Sequence, residues 1–153
     1  MTDQAPTETA PPSPPPSPSI GFLLQRAHHL LRGRMTAELD GSGLHLGHVA
    51  LLGTMLDTPG LSQRELSLRT GIEKSSMVIF VDALERDGWV RRAPHPSDRR
   101  AHALFVTTEG AMRLAEVGPR LRQAEADFLA VLSTAERDAL RSTLARLVAE
   151  QGQ

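Results

Sequence analysis

The stretch GWVRRAPHPSDRRAHALFVT, residues 88–107, reads as a two-stranded ribbon with arginine at its tip. Residues 89–92 form the expected first strand, and the second, residues 101–106, is rich in apolar and branched side chains that fit a pleated surface. Between them Pro94, Pro96 and Ser97 are expected to end the pairing and shape a loop, because proline has no N–H to give to a neighbouring strand. Residues 88–103 hold four arginines, Arg91, Arg92, Arg99 and Arg100, against one acid, Asp98, a formal charge of +3 in a chain whose net charge is −1. Local positive charge of that density suits a polyanion such as nucleic acid.

The residues upstream sharpen the reading. In LSQRELSLRTG, residues 61–71, Ser62 and Glu65 have capping-box spacing and Gly71 is a stop signal, which predicts a short helix and a turn. Across residues 73–87, Met77, Phe80, Val81 and Leu84 fall at i, i+3, i+4 and i+7, one apolar face of an amphipathic helix that Gly88 ends. Two helices joined by a glycine turn and followed by a basic hairpin make a winged helix-turn-helix, with the second helix in the major groove and the wing reaching toward the adjacent minor groove. Lys74, Ser75 and Ser76, at the start of that second helix, suit phosphate. Val78 and Ile79 cannot hydrogen-bond base edges but suit thymine methyl groups, which predicts A·T-biased sites.

Residues 20–150 resemble a MarR-family transcriptional regulator. LERDG, residues 84–88, followed by Arg91 and Arg92, is similar to the family's recognition-helix exit; Asp98, Arg99 and Arg100 match its Asp-x-Arg wing tip; VTTEG, 106–110, and LSTAER, 132–137, resemble the exit from the wing and the start of the last helix. The resemblance implies a DNA-binding set of Lys74, Ser75, Ser76, Val78, Ile79, Arg86, Arg91, Arg92, Asp98, Arg99 and Arg100, with Asp98 orienting Arg100. It also implies a small aromatic or phenolic ligand, lined here by Phe22, Arg26, His29, His48 and Met55. His48 stands where the family commonly has Gln and His45 where it has a capping Thr, which puts the usual start of that helix in doubt.

The expected fold is therefore mainly α with a small β-wing, a winged helix-turn-helix of about residues 46–107 plus a helical dimerisation region of about 20–40 and 111–150. Leu23, Leu24, Ala27, Leu30, Leu31, Met35 and Leu39 recur at helical spacing, as do Leu114, Val117, Leu121, Ala124, Phe128 and Leu132, and then Leu140, Leu144, Leu147 and Val148. These stripes exceed what one small winged domain can cover, so a second copy is expected, placing two recognition helices on a near-palindromic site. Gly118 and Pro119 are expected to kink or split their helix.

Composition narrows the rest. With no cysteine the chain has no disulfide, no thiol-ligated zinc and no thiol sensor. Residues 1–19 hold seven of the eleven prolines, two acids and no basic side chain, a composition that cannot build a core and does not suit a DNA-binding arm. No apolar run approaches a membrane span and no basic–apolar leader pattern opens the chain, so the expected location is the cytoplasm. No phosphate loop or nucleophile elbow is present, which argues against an enzyme, and no cofactor is expected. Two alternatives stay open: a zinc-responsive regulator using His28, His29, His45 and His48, and a relative that works through protein contacts without DNA.

Overall fold

The structure is a computed structural model that describes residues 17–98 and 100–151. The proline-rich residues 1–16, Arg99 and the last two residues lie outside the described residues. Helix α1, Ile20–Ala37, starts where the Ser19 hydroxyl accepts the Phe22 N–H at 3.2 Å. No residue of α1 is buried within the chain, although the helix packs one side against α5, described below.

Helix α2, Leu46–Asp57, begins at the expected place, and the doubt raised by its two histidines is resolved by their geometry. The His45 N–H donates to Nδ1 of His48 at 3.3 Å, so the imidazole closes the first turn. Helix α3, Gln63–Thr70, carries the predicted capping box: the Ser62 N–H donates to Glu65 at 2.8 Å and the Glu65 N–H to the Ser62 hydroxyl at 3.3 Å. Gly71 closes it with φ of 69°, a left-handed conformation that a side chain resists. Helix α4, Lys74–Arg86, buries Met77, Val81 and Leu84 and half-buries Phe80, the face that the spacing predicted.

The wing is the antiparallel pair β1, Val90–Pro94, and β2, His102–Val106, in the register Val90 to Val106, Arg92 to Leu104 and Pro94 to His102. Pro94 thus belongs to the ribbon rather than ending it. It lies opposite His102, and the pairing runs on past it, where the His95 N–H donates to the Ala101 carbonyl at 3.3 Å, so the missing donor of Pro94 does not break the ladder. The ribbon gains a third partner that the sequence concealed: the Gly60 N–H donates to Leu104 and the Leu104 N–H to Leu61, both at 3.0 Å.

Helix α5, Thr108–Phe128, starts on Thr107, whose hydroxyl accepts the Gly110 N–H at 3.1 Å and donates to the Gly88 carbonyl at 2.8 Å. Gly110 has no room for a side chain, because a Cβ there would meet the Trp89 carbonyl. Pro119 does not split α5. Its lost hydrogen bond costs about 3 kcal/mol in a helix interior, but Val117, Leu121 and Ala124 hold both halves against the core. After a 3-10 turn at Leu129–Val131, α6, Thr134–Gln151, begins with a second capping box, Ser133 N–H to Glu136 at 2.8 Å. Leu51, Leu52, Met55, Leu66, Val81, Leu84 and Leu104 form the centre of the core beneath α2, α3, α4 and the wing. Among the described residues no helix is long and apolar enough to cross a membrane.

Candidate nucleic-acid interface

The inward face of α4 is fixed by burial of Met77, Val81 and Leu84, so the residues between them must face out. Lys74, Ser75, Val78 and Ile79 are exposed, with Ile79 at 66% and Val78 at 40%, while Ser76 is half-buried. The helix has not rotated to hide either branched side chain. Phe80 sets its tilt against α2: the ring meets His48 edge-on with centroids 5.1 Å apart, and Gly47 lies so close that a Cβ would strike the phenyl. His48 is 4% exposed, and burial first, with the nearby His45 second, holds its pKa below 6.5.

At the wing, the sequence-derived arginines separate into different roles. Arg91 is exposed and stacks on Phe105, its guanidinium carbon 4.4 Å from the ring centroid, so the side chain is held against the outer face of the ribbon. Arg92 corrects the expectation of a free cation at the wing base: it is half-buried, hydrogen-bonded to Asp82 and paired with Glu85 at 3.1 Å. It joins β1 to α4. Arg86 is also engaged elsewhere, with Nε 3.0 Å from Asp87, whose carboxylate makes the guanidinium still harder to deprotonate. It sits at the C-terminal end of α4, about 18 Å from Lys74 at 1.5 Å per residue.

Asp98 orients the tip by a different contact from the one expected. Its carboxylate accepts the backbone N–H of Arg100 at 2.9 Å, and its carbonyl accepts the Ala101 N–H at 3.1 Å, so it shapes the turn rather than gripping a guanidinium. Arg100 is exposed; Arg99 lies outside the described residues. His95 anchors the loop to α3, with Nε2 3.8 Å from Glu65, whose pKa is lowered chiefly by the hydrogen bond from the Ser62 N–H.

Arg64, which the sequence reading passed over, stands between these groups. It lines a 230 Å³ recess with Arg92, Asp98 and Arg100 and a 450 Å³ recess with Lys74, Leu68 and Met77. Its sequence signal was faint, since a lone arginine in the first turn of a short helix is ordinary surface.

The five expected ligand residues are not brought together. Phe22, Arg26 and His29 are exposed on α1, whereas His48 and Met55 are buried. The open clefts are elsewhere. One of 540 Å³ lies between the end of α1, the start of α2 and Phe80, with Arg32, Asp40 and His45 in its wall. The other, 560 Å³ and mostly apolar, lies between α1, α2 and α5. Among the described residues no group of three His, Asp or Glu side chains is placed to hold a metal ion.

A capped short helix, a glycine turn, a second helix with an exposed outer face and a basic ribbon pinned to both define a winged helix-turn-helix of the DNA-binding class. Residues 42–101 match the model of the MarR family. The chain is 34% identical over 126 residues to a candidate transcriptional regulatory protein for the hcr operon of Thauera aromatica, covering 78% of this chain and 76% of that one. Its fold is similar to that of CouR bound to a 23-mer DNA duplex, a transcriptional repressor also solved from Rhodococcus jostii RHA1 with p-coumaroyl-CoA. The DNA complex gives a TM-score of 0.76 at 30% identity, over 85% of this chain and 92% of the other. The PcaV regulator of Streptomyces coelicolor, in complex with its natural ligand, gives 0.70 at 31% identity, over 88% and 94%. The chain belongs to the MarR family of transcriptional regulators.

Proposed function

We propose that the protein is a homodimeric, ligand-responsive repressor that places α4 in the major groove of a near-palindromic operator and the wing tip at the adjacent minor groove. The observation that carries this reading is the outer face of α4, where Lys74, Ser75, Val78 and Ile79 stand exposed beside a wing clamped to the same helix by Arg92. Lys74 and Ser75 meet phosphate at the groove edge, Val78 and Ile79 meet thymine methyls, and Arg100 reaches the backbone from the wing. Residues 20–40 and 111–150 act as the dimerisation region: Phe22, Leu23, Leu24 and Leu30 of α1 and Leu140, Leu144, Leu147 and Val148 of α6 are exposed in the single chain, more apolar surface than a monomer ordinarily leaves wet.

The effector of this reading occupies the 540 Å³ cleft, where Arg32 suits an anionic group and Phe80 an aromatic ring. The support from relatives is that CouR and PcaV are each solved with a bound small molecule. Because Phe80 belongs to α4, a ligand there touches the helix that reads DNA. A coupling of 1–3 kcal/mol would weaken operator binding roughly 5- to 150-fold.

Footprinting the purified protein on the DNA upstream of its own gene tests the reading. A protected window with two inverted half-sites about one helical turn apart is the expected result. Protection of a single half-site, or none at concentrations where the protein is folded, would sink it.

A further inference from the structure

Arg64 lies in the second position of α3, exposed, and it lines both the recess holding Arg100 and the recess holding Lys74. The two recesses share Arg64, which places that guanidinium between Arg100 at the wing tip and Lys74 at the start of α4. Gln63, which lines both as well, adds an amide donor. The nearby acids are engaged locally: Asp98 holds the Arg100 N–H, and Glu65 accepts from both the N–H and the hydroxyl of Ser62 at 2.8 and 2.7 Å. Among the described residues Arg64, Lys74 and Arg100 make no ion pair, in contrast to Arg86 and Arg92.

We propose that Arg64 is a DNA phosphate contact, holding the backbone of one strand where it crosses from the recognition helix to the wing. This rests on the DNA-binding reading above and deepens it. A guanidinium in that place contributes affinity without reading sequence, because phosphate is the same on every step.

The test is a salt titration of binding to a mixed-sequence duplex of roughly three helical turns, about 30 bp, with wild type, Arg64→Ala and Arg64→Lys. Each lost phosphate contact lowers the slope of log affinity against log salt by about 0.9, and the dimer loses two, so between 50 and 200 mM salt the wild type should lose roughly 12-fold more affinity than Arg64→Ala. Arg64→Lys keeps the charge and should keep the slope. An Arg64→Ala protein with wild-type melting temperature and wild-type slope would overturn the inference while leaving the DNA-binding reading intact. A wild type with no salt-dependent binding would overturn both.

Discussion

His48 joins two jobs in one side chain. Its Nδ1 accepts the His45 N–H, so that nitrogen must be unprotonated, and its ring supports Phe80 beneath the recognition helix. Burial lowers its folded pKa below 6.5, which means the unfolded chain takes up the proton first. This share of stability is full above about pH 6.5 and is lost as pH falls through that value. Thermal melts between about pH 7.5 and 5.5 should show a falling melting temperature for wild type, and a flatter profile for His48→Gln, whose amide oxygen can still accept the capping N–H. Equal profiles would remove His48 from the account. Ile79 supports a second test at this scale. Replacing single thymines of the operator by uracil should weaken wild type about fourfold at the contacted step, the worth of one methyl near 0.8 kcal/mol, and should leave Ile79→Ala indifferent. Discrimination that survives in the variant would contradict the thymine reading.

Between elements, the wing is held to α4 by Arg92 with Asp82 and Glu85, and to the α2–α3 loop by the pairing of Leu104 with Gly60 and Leu61. Partly exposed ion pairs contribute about 0.2–1 kcal/mol each, so Arg92→Ala should lower the melting temperature little. It should weaken DNA binding on the order of tenfold, about 1.4 kcal/mol, because the wing loses its fixed angle to the helix. A variant that melts normally and binds normally would show that the clamp has no part in recognition. The elements themselves were legible in the sequence: the spacing of Met77, Phe80, Val81 and Leu84, the Ser62–Glu65 box and the stops at Gly71 and Gly88 are local signals whose physics does not depend on the rest of the fold. The pairing of Arg92 was not legible, since it depends on which face of β1 meets α4. The same holds for the Leu104 contacts with a loop more than forty residues away in sequence. The survival of α5 through Pro119 was hidden for the opposite reason, that a strong local rule is outweighed by burial on either side. The expected ligand residues are divided between α1, where Phe22, Arg26 and His29 are exposed in the single chain, and two buried residues of α2, His48 and Met55.

On the scale of the whole molecule, the proposed dimer explains why α1 and α6 hold apolar stripes that the single chain does not bury. Leu144→Asp would put a charge at the centre of the α6 stripe and should shift the protein from dimer to monomer in sedimentation. DNA affinity should fall with it, since one recognition helix reads half a site. An aspartate variant that stays dimeric would place the interface elsewhere. In the proposed complex the exposed face of α4 and the Arg100 wing tip bind DNA together. The most direct test is a salt titration of binding to the duplex upstream of the protein's own gene, with wild type beside Arg100→Ala. The expected result is tight binding with a steep negative salt slope, lowered by about 1.8 in the variant because each protomer loses one phosphate contact. No binding at low salt, or a slope that Arg100→Ala leaves unchanged, would contradict it and favour a regulator that acts through protein contacts alone.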